Sequence, residues 1–296
     1  MTTGLQDAER KNRCALCGCS QINILYNLPA FNIMKCERCN FMFNDKWDSF
    51  SEETTMATRE KTDALNSQRD FEAEKEVYRD RFLRELAEIS RLKKTGRLLD
   101  IGCACGYFLR VAQDTGWQAY GIDIDKNAVE YGRNKYALNL KYGVLNYGQY
   151  PEKYFDVVTL FHALEHMPDF EKVISIIKTI LKDNGLLVID VPNVNDLRRR
   201  LFGRDWPMFR QEHLWYFSKH TLQLLLERYG FKIIKTRLHG GSNIAFKLDK
   251  VTHRAATEFI AKHFRYIRHF KHIFRRIYNL LGFNEDILVY AKNINH

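Results

Sequence analysis

Five of the seven cysteines lie within the first 39 residues, and four of these form two C-x-x-C pairs. The four are Cys14, Cys17, Cys36 and Cys39. The pairs are followed by Gly18 and Asn40, residue types that tolerate a left-handed backbone. Knuckles of this kind place four thiolates around Zn²⁺ in a closed structural site. The spacing therefore predicts a structural Zn²⁺ ion that stabilises a segment too small to fold alone, with Cys19 outside the ligand set.

The segment LLDIGCACGYF, residues 98–108, has the pattern of a buried strand, a tight turn and the start of a helix. Gly102 and Gly106 carry no Cβ, so a ligand can approach the backbone of this turn closely. A dinucleotide fingerprint would require glycine at positions 102, 104 and 107, but this chain has Ala104 and Tyr107. Asp123, about twenty residues further on, has the position of a carboxylate that accepts hydrogen bonds from ribose hydroxyls. The segment therefore predicts an adenine-cofactor site that does not grip a pyrophosphate.

Short apolar runs alternate with amphipathic segments through most of the chain after residue 70. Helices are expected at 71–94, 107–116, 127–136 and 169–181, and strands at 97–102, 119–124, 155–161, 186–192, 231–238 and 286–293. Strands separated by helices of this length form a parallel sheet with helices on both faces. We therefore predict an α/β fold, with a Rossmann-like, doubly wound, mostly parallel sheet, an antiparallel edge strand and a small N-terminal zinc-ribbon module.

The turn and the strands around it resemble the class I S-adenosylmethionine-dependent methyltransferases. The resemblance rests on LLDIGCACG, GIDID, FDVVTLFHALEH and LLVIDVPN, and it covers roughly residues 75–240. The family's D-x-G-x-G-x-G turn is matched by Asp100, Gly102, Ala104 and Gly106, with one methyl group added at Ala104. The resemblance implies that this turn holds the methionine part of S-adenosylmethionine and that Asp123 binds its ribose.

The same resemblance places the adenine between Ile124 and a loop near residues 143–146. Many members of the family have an aspartate in this loop, whereas this chain has Val144 and Leu145. Backbone groups of the loop and Asn146 are therefore expected to hold the adenine. Phe161, the last residue of the FDVVTLF strand, completes the expected cofactor contacts.

Three histidines are candidates for the proton transfer that methylation of a hydroxyl requires. His162 and His166 follow the FDVVTLF strand, and His213 lies in a later segment, EHLWYF. A histidine suits this work because its ordinary pKa is near 6.5. The alternative role of each is a structural hydrogen bond at the start of the following helix. Trp215 and Tyr216 are expected either to line the acceptor pocket or to belong to the core.

Two later stretches bear on the acceptor. Residues 212–231 resemble a block found in methyltransferases of small molecules and sugars, and residues 238–246 resemble a stretch of the deoxysugar C-methyltransferases. Those enzymes also carry an N-terminal zinc module and an additional C-terminal domain, and no counterpart of the latter is expected within these 296 residues. The resemblance implies a small-molecule or sugar acceptor, such as a precursor of a surface glycan or a nucleotide sugar.

Net charge and one basic segment leave other partners open. The formal charge is +10, and residues 261–276 have the pattern of a basic amphipathic helix. This helix is expected to pack on the domain with a solvated basic face, or to contact an anionic membrane surface or nucleic acid. The alternatives to a small-molecule enzyme are an RNA methyltransferase and a non-catalytic zinc-ribbon binding protein. Methyltransferases of exocyclic amines carry an N/D-P-P-aromatic motif at the end of the corresponding strand. This chain has VPN (191–193) there, which argues against an RNA substrate.

The composition divides the chain into a zinc-binding module (1–45), a linker (46–70) and a methyltransferase domain with the basic helix (71–296). The first residues lack the apolar stretch of a signal peptide, and no apolar run approaches the length of about 18 residues that spans a membrane. The expected location is the cytoplasm, where thiols stay reduced and can bind metal. No feature of the sequence specifies an oligomeric state.

Overall fold

The computed structural model describes residues 13–51, 54–56, 71–240 and 284–294. The strands are β1 (Ile22–Asn27), β2 (Asn32–Cys36), β3 (Met42–Asn44), β4 (Arg97–Ile101), β5 (Gln118–Asp123), β6 (Asn139–Tyr142), β7 (Phe155–Phe161), β8 (Leu181–Pro192), β9 (Trp215–Tyr216), β10 (Phe231–His239) and β11 (Asp286–Asn293). The α-helices are α1 (Phe71–Leu92), α2 (Tyr107–Asp114), α3 (Lys126–Tyr136), α4 (Phe170–Ile180), α5 (Leu197–Phe202) and α6 (Lys219–Arg228).

Seven strands form one mixed sheet in the order β10-β11-β8-β7-β4-β5-β6. The strands β4 to β8 pair in parallel, while β11 lies antiparallel between β8 and β10. This confirms the predicted mostly parallel sheet with an antiparallel edge. Since parallel strands share one orientation, the carboxyl ends of β4, β5, β7 and β8 meet at a single edge of the sheet.

The helices cover both faces of this sheet because side chains alternate along each strand. Leu98 contributes to the core on one face and Leu99 to the core on the other. The apolar side of α4 packs on the Leu99 face and that of α2 on the Leu98 face. The side chain of Asp169 caps the first turn of α4 by accepting a hydrogen bond from the Lys172 N–H.

The cysteine-bearing segment forms a second sheet, with four antiparallel strands in the order β1-β2-β3-β9. Its last strand comes from residues 215–216, far along the chain, and pairs Phe43 with Trp215 and Met42 with Tyr216. Trp215 and Tyr216 are each only 2% exposed. Trp215 therefore belongs to the core that joins the two sheets, and Tyr216 to a smaller core beside it, which favours the core role for both.

Several expectations from the sequence fall on chain that the structure does not describe. The basic segment 261–276, residues 241–246 of the LHGGSNIAF stretch and residues 57–70 of the linker lie outside the described residues. Within the described part of the chain, no helix is both long enough and apolar enough to cross a membrane.

Candidate functional site

The turn between β4 and α2 has a left-handed backbone at alternate positions. The φ angles of Gly102, Ala104 and Gly106 are 76°, 48° and 75°. A Cβ at Gly102 would lie 2.6 Å from the Cβ of Ala163, so this glycine lets the chain after β7 approach the turn. Ala104 adopts a conformation that costs a non-glycine residue about 1 kcal/mol, which the surrounding fold must offset.

A third glycine, Gly132 of α3, brings that helix against the turn. A Cβ at this position would lie 2.4 Å from the carbonyl oxygen of Cys105. We expect Gly132→Ala to lower the free energy of unfolding by about 2–3 kcal/mol, although alanine is the better helix former by about 1 kcal/mol. Urea denaturation measures the change.

The matched control is Gly148→Ala, where nothing lies within 4 Å of the added Cβ. Because Gly148 has a φ of 73°, an alanine there is strained by about 1 kcal/mol, and we expect the free energy of unfolding to fall by no more than that. A Gly132→Ala protein as stable as the wild type would contradict the proposed close approach of α3.

Asp123, the last residue of β5, is hydrogen-bonded to the turn between β4 and α2. Its Oδ2 atom accepts a hydrogen bond of 2.6 Å from the Ala104 N–H, and its Oδ1 atom accepts one of 2.8 Å from the Asp125 N–H. The side chain is half-buried. The structure thus brings together the turn and the carboxylate that the sequence places on separate elements.

Asp100 lies beneath the turn and is 4% exposed. Its Oδ1 atom accepts a hydrogen bond of 2.6 Å from the Thr159 hydroxyl on the neighbouring strand. Burial raises the pKa of Asp100 from 3.8 to about 7, although the Thr159 hydrogen bond acts in the opposite direction. The folded protein therefore favours the protonated form of this carboxyl more than the unfolded chain does.

This pKa shift predicts a pH dependence of stability. An acid with a raised pKa stabilises the fold fully below pH 3.8, and that contribution is lost as the pH rises through about 7. Asp100→Asn keeps an acceptor for the Thr159 hydroxyl without the charge. We expect the variant to gain stability relative to the wild type from pH 4 to 7, by up to about 4 kcal/mol, with a plateau above. Urea denaturation between pH 4.5 and 8.5 checks this.

The exposed Asp114 provides the control, since its side chain is 56% exposed and pairs with Arg110. Asp114→Asn is expected to follow the wild-type pH profile. If Asp100→Asn also follows it, the buried carboxyl does not titrate in this range.

The loop after β6 carries the residues that are expected to lie against the adenine. Leu145 is 4% exposed, and its side chain packs into the core. Asn146 is exposed: its side-chain oxygen accepts a hydrogen bond from Lys172 Nζ at 3.0 Å, and its backbone N–H donates to Gln149. Ile124 is half-buried beside Asp123. The side chain of Asn146 is thus hydrogen-bonded within the protein, and its contact with the adenine stays a prediction.

Phe161 ends β7 and is half-buried in an aromatic cluster. Its ring packs edge-on against Phe108 at 4.9 Å between centroids and lies 6.2 Å from Phe82 of α1. This cluster joins β7, α1 and α2 next to the turn at residues 102–106, the cofactor turn.

His162 follows β7 with a left-handed φ of 52°, and its N–H donates to the Asp190 carbonyl at 2.8 Å. Its ring nitrogens lie 3.6 Å from Glu165 Oε1 and 4.0 Å from Asp286 Oδ1. Burial lowers the pKa of His162, but the Asp286 and Glu165 carboxylates raise it more, to about 9.

The other two candidate histidines lie against each other. The rings of His166 and His213 are 4.8 Å apart between centroids and nearly perpendicular, at 77°. His213 is 6% exposed, and burial together with the neighbouring His166 ring lowers the pKa of His213 to about 4. The structure therefore groups all three histidines around Glu165, at the carboxyl end of β7.

Sequence reasoning missed a second charged network at the same sheet edge. Asp190 of β8 is fully buried and accepts hydrogen bonds from Arg81 at 2.5 Å and from His239 Nε2 at 3.0 Å. A signal was present, because Asp190 interrupts the apolar run LLVIDVP, and a buried carboxylate needs charged partners. The partners come from α1 and β10, which the sequence does not link to β8.

The four predicted cysteine ligands converge. Cys14 Sγ lies 3.6 Å from Cys39 Sγ, Cys17 Sγ lies 3.6 Å from Cys36 Sγ, and all four sulfur atoms are within 4.8 Å of one another. Thiolates about 2.3 Å from a tetrahedral Zn²⁺ ion lie roughly 3.8 Å apart, so these separations fit that ion.

The backbone around the sulfur atoms repeats itself in two knuckles. Gly18 N donates to Cys14 O at 2.8 Å and Asn40 N donates to Cys36 O at 3.0 Å, with left-handed φ angles of 71° and 59°. The predicted left-handed turns are thus present at both positions.

The methyltransferase domain family matches residues 71–236, more than half of the chain. A protein of Mycolicibacterium smegmatis, named as a probable S-adenosylmethionine-dependent methyltransferase, is 29% identical over 142 residues. This alignment covers 47% of the chain and 53% of that protein, so the chain spans about half the length of this relative. The demethylmenaquinone methyltransferase of Staphylococcus aureus is 24% identical over 215 residues, which cover 64% of the chain and 87% of that enzyme.

Solved structures share the fold. The S-adenosylmethionine-dependent methyltransferase from Archaeoglobus fulgidus superposes with a TM-score of 0.53 at 24% identity, covering 74% of this chain and 94% of that one. Together with the family match, this places the chain among the class I S-adenosylmethionine-dependent methyltransferases.

Proposed function

We propose that this protein binds S-adenosylmethionine at the edge formed by β4, β5 and β7 and transfers its methyl group to a small-molecule acceptor. The observation that carries the proposal is the bond between the Asp123 carboxylate and the Ala104 N–H. It fixes a carboxylate beside a turn with a left-handed backbone at Gly102, Ala104 and Gly106, within the matched domain. The cofactor supplies an electrophilic methyl group on a sulfonium ion.

Each part of the cofactor has candidate partners in this chain. Asp123 accepts hydrogen bonds from the ribose hydroxyls, and the methionine part lies against the backbone of the turn at 102–106, where the glycines carry no Cβ. The adenine lies beside Ile124, against the backbone of the loop 143–146, and Phe161 borders the cofactor from β7. Holding the sulfonium methyl group in line with the acceptor is the main contribution that such a site makes to the rate.

A small-molecule acceptor is supported by two observations. The Staphylococcus aureus relative is named for a small molecule, demethylmenaquinone. The segment 212–231, which resembles a block of small-molecule and sugar methyltransferases, places His213 beside the residues that follow β7. We further propose that His162 contacts the acceptor, because it follows β7 directly and Ala163 packs under Gly102 of the cofactor turn.

The four-cysteine cluster is proposed to hold a structural Zn²⁺ ion. The sulfur separations and the two knuckles support this ion, and four thiolates close its coordination. Thiolates remain available for metal in a reducing compartment, which is consistent with the cytoplasmic location that we propose. The ion would fix β1–β3, and through β9 the segment that carries His213.

Two measurements test the proposed function. Isothermal titration calorimetry should show one S-adenosylmethionine site per chain, and the absence of binding would refute the enzyme. Protein incubated with methyl-labelled cofactor should then transfer label to a small-molecule extract that includes quinones and nucleotide sugars. Label that appears only in a parallel total-RNA sample would replace the small-molecule acceptor by RNA.

A further inference from the structure

A cluster of three metal-ligating side chains lies beside His162, separate from the cysteines. Glu165 and His166 belong to the short helical turn Leu164–His166, and His213 precedes β9. The two segments are joined because Leu214 N donates to Glu165 O at 2.9 Å. One ligand atom of each of the three side chains lies within 4.8 Å of the others.

Both imidazoles are oriented by backbone carbonyls. His166 Nδ1 lies 2.8 Å from the Glu212 carbonyl oxygen, and His213 Nδ1 lies 2.9 Å from the Met208 carbonyl oxygen. A carbonyl only accepts, so each Nδ1 is assigned the hydrogen and each neutral ring presents the lone pair of Nε2. Histidines that bind metals are held in this way, with the other ring nitrogen donating to a carbonyl or a carboxylate.

The carboxylate of Glu165 supplies an independent observation. Glu165 is 1% exposed, and neither of its oxygen atoms has a hydrogen-bond partner among the described residues. His162 Nδ1 and His166 Nε2 lie 3.6 and 4.0 Å from Oε1, beyond hydrogen-bond distance. A buried carboxylate without hydrogen bonds is costly. The cationic form of His162 attracts this carboxylate from 3.6 Å but makes no hydrogen bond to it, so two lone pairs and the carboxylate converge without a bonded donor, and a metal ion would coordinate all three.

We propose that Glu165, His166 and His213 bind a divalent transition-metal ion of the Zn²⁺ class. Two imidazoles and one carboxylate suit such ions and leave coordination positions open. Ligand atoms about 2.0–2.2 Å from a tetrahedral ion lie roughly 3.3–3.6 Å apart, so closure requires side-chain movements of about 1 Å. The ion can enter from the His166 side, since that side chain is 37% exposed.

Through its open coordination positions the ion would bind the methyl acceptor, a role that rests on the proposed function. The Glu165 carboxylate lies 3.6 Å from the ring of His162. Ala163, which follows His162 in the chain, packs under the cofactor turn. An acceptor bound through a hydroxyl, phenol or enol oxygen would therefore meet the ion close to the cofactor. A bound metal ion would lower the pKa of such an oxygen, so that its proton passes to water and the oxyanion attacks the methyl group; the O–C bond forms as the S–C bond of the sulfonium breaks, which leaves S-adenosylhomocysteine.

The test begins with purified protein that carries one Zn²⁺ ion in the cysteine site, established by elemental analysis. Calorimetric titration with ZnCl₂ should show one further ion per chain. Titration with CoCl₂ should give the visible absorption of nitrogen and oxygen ligation without new thiolate-to-cobalt charge transfer. A protein that takes up no second ion, or takes it up with thiolate charge transfer, would overturn the proposal.

Variants locate the second ion. Glu165→Gln and His213→Ala should each weaken binding of the second ion at least tenfold, whereas His220→Ala, at an exposed position outside the cluster, should leave it unchanged. Far-UV circular dichroism and S-adenosylmethionine binding report whether each variant is folded. Equal uptake by folded Glu165→Gln and the wild type would overturn the site. A second ion without cofactor binding would refute the proposed function and leave the metal site supported.

A separate measurement tests whether the metal ion binds the acceptor. Catechol, a simple molecule with two adjacent oxygen donors, should shift the visible spectrum of the cobalt form because it occupies the open positions. The same addition to Glu165→Gln should give no shift. An unchanged spectrum in the wild type would overturn the role in acceptor binding.

Discussion

Replacing Asp123 by alanine is expected to weaken S-adenosylmethionine binding about 100-fold. Hydrogen bonds to a charged group contribute about 1.5–3 kcal/mol each, and 1.4 kcal/mol corresponds to a factor of ten in affinity. The substitution removes the proposed acceptor for the ribose hydroxyls and also the bond that ties Ala104 N to β5. Calorimetry of the cofactor and of S-adenosylhomocysteine measures the loss.

Two further variants separate charge from geometry at this position. Asp123→Asn retains one oxygen acceptor and should bind the cofactor about tenfold more weakly than the wild type. Asp114→Asn removes an exposed carboxylate at the far end of α2 and should bind like the wild type. If Asp123→Ala binds the cofactor with wild-type affinity, Asp123 does not hold the ribose.

The second large effect is expected from the cysteine cluster. Cys36→Ser should lose the bound Zn²⁺ ion and lower the melting temperature by about 10 °C or more. Structural zinc sites contribute about 10–16 kcal/mol in zinc-finger peptides, and a loss of about 4 kcal/mol already corresponds to roughly 10 °C in a domain of this size. Elemental analysis and calorimetric melting measure both quantities.

The packing between the two sheets explains why the loss would not stay local. Phe41 is fully buried and stacks on Trp215, with 6.0 Å between ring centroids. Trp215 also donates to the Met167 carbonyl at 2.7 Å. Unfolding of β1–β3 would expose this apolar surface and release the segment that carries His213.

Cys19→Ser is the matched control, because Cys19 adjoins the Cys14–Gly18 knuckle but lies outside the group of four sulfur atoms. Its backbone carbonyl, which accepts a hydrogen bond from Cys14 N, is retained in the variant. The control should keep the ion and the wild-type melting temperature. Wild-type zinc content in Cys36→Ser would exclude the four-thiolate site.

The sequence alone determined the features that depend on near neighbours in the chain. The knuckles are local turns set by Gly18 and Asn40, and the cofactor turn is set by Gly102 and Gly106 between one strand and the next helix. Strand and helix periodicity, which depends only on spacing along the chain, predicted the helices α1 to α4 and the strands β4, β5, β7, β8, β10 and β11, but not the four-residue strand β6.

Other expectations depended on contacts that spacing does not encode. The two-residue strand β9 is too short to show a periodic pattern, and it exists because residues 42–43 pair with residues 215–216. The sequence places Asn146 near the adenine, and only the tertiary structure shows that Lys172 of α4 binds its side-chain oxygen. In both cases the deciding partner comes from a distant part of the chain.

Only the tertiary structure decided which charged groups meet. Asp190 is paired by Arg81 and His239, which lie 109 and 49 positions away in the sequence. Glu165 meets His213 only because the segment before β9 folds back over the end of β7. Local steric preferences and periodicity act within a few residues, whereas burial and charge pairing are settled by whichever side chains the completed fold brings together.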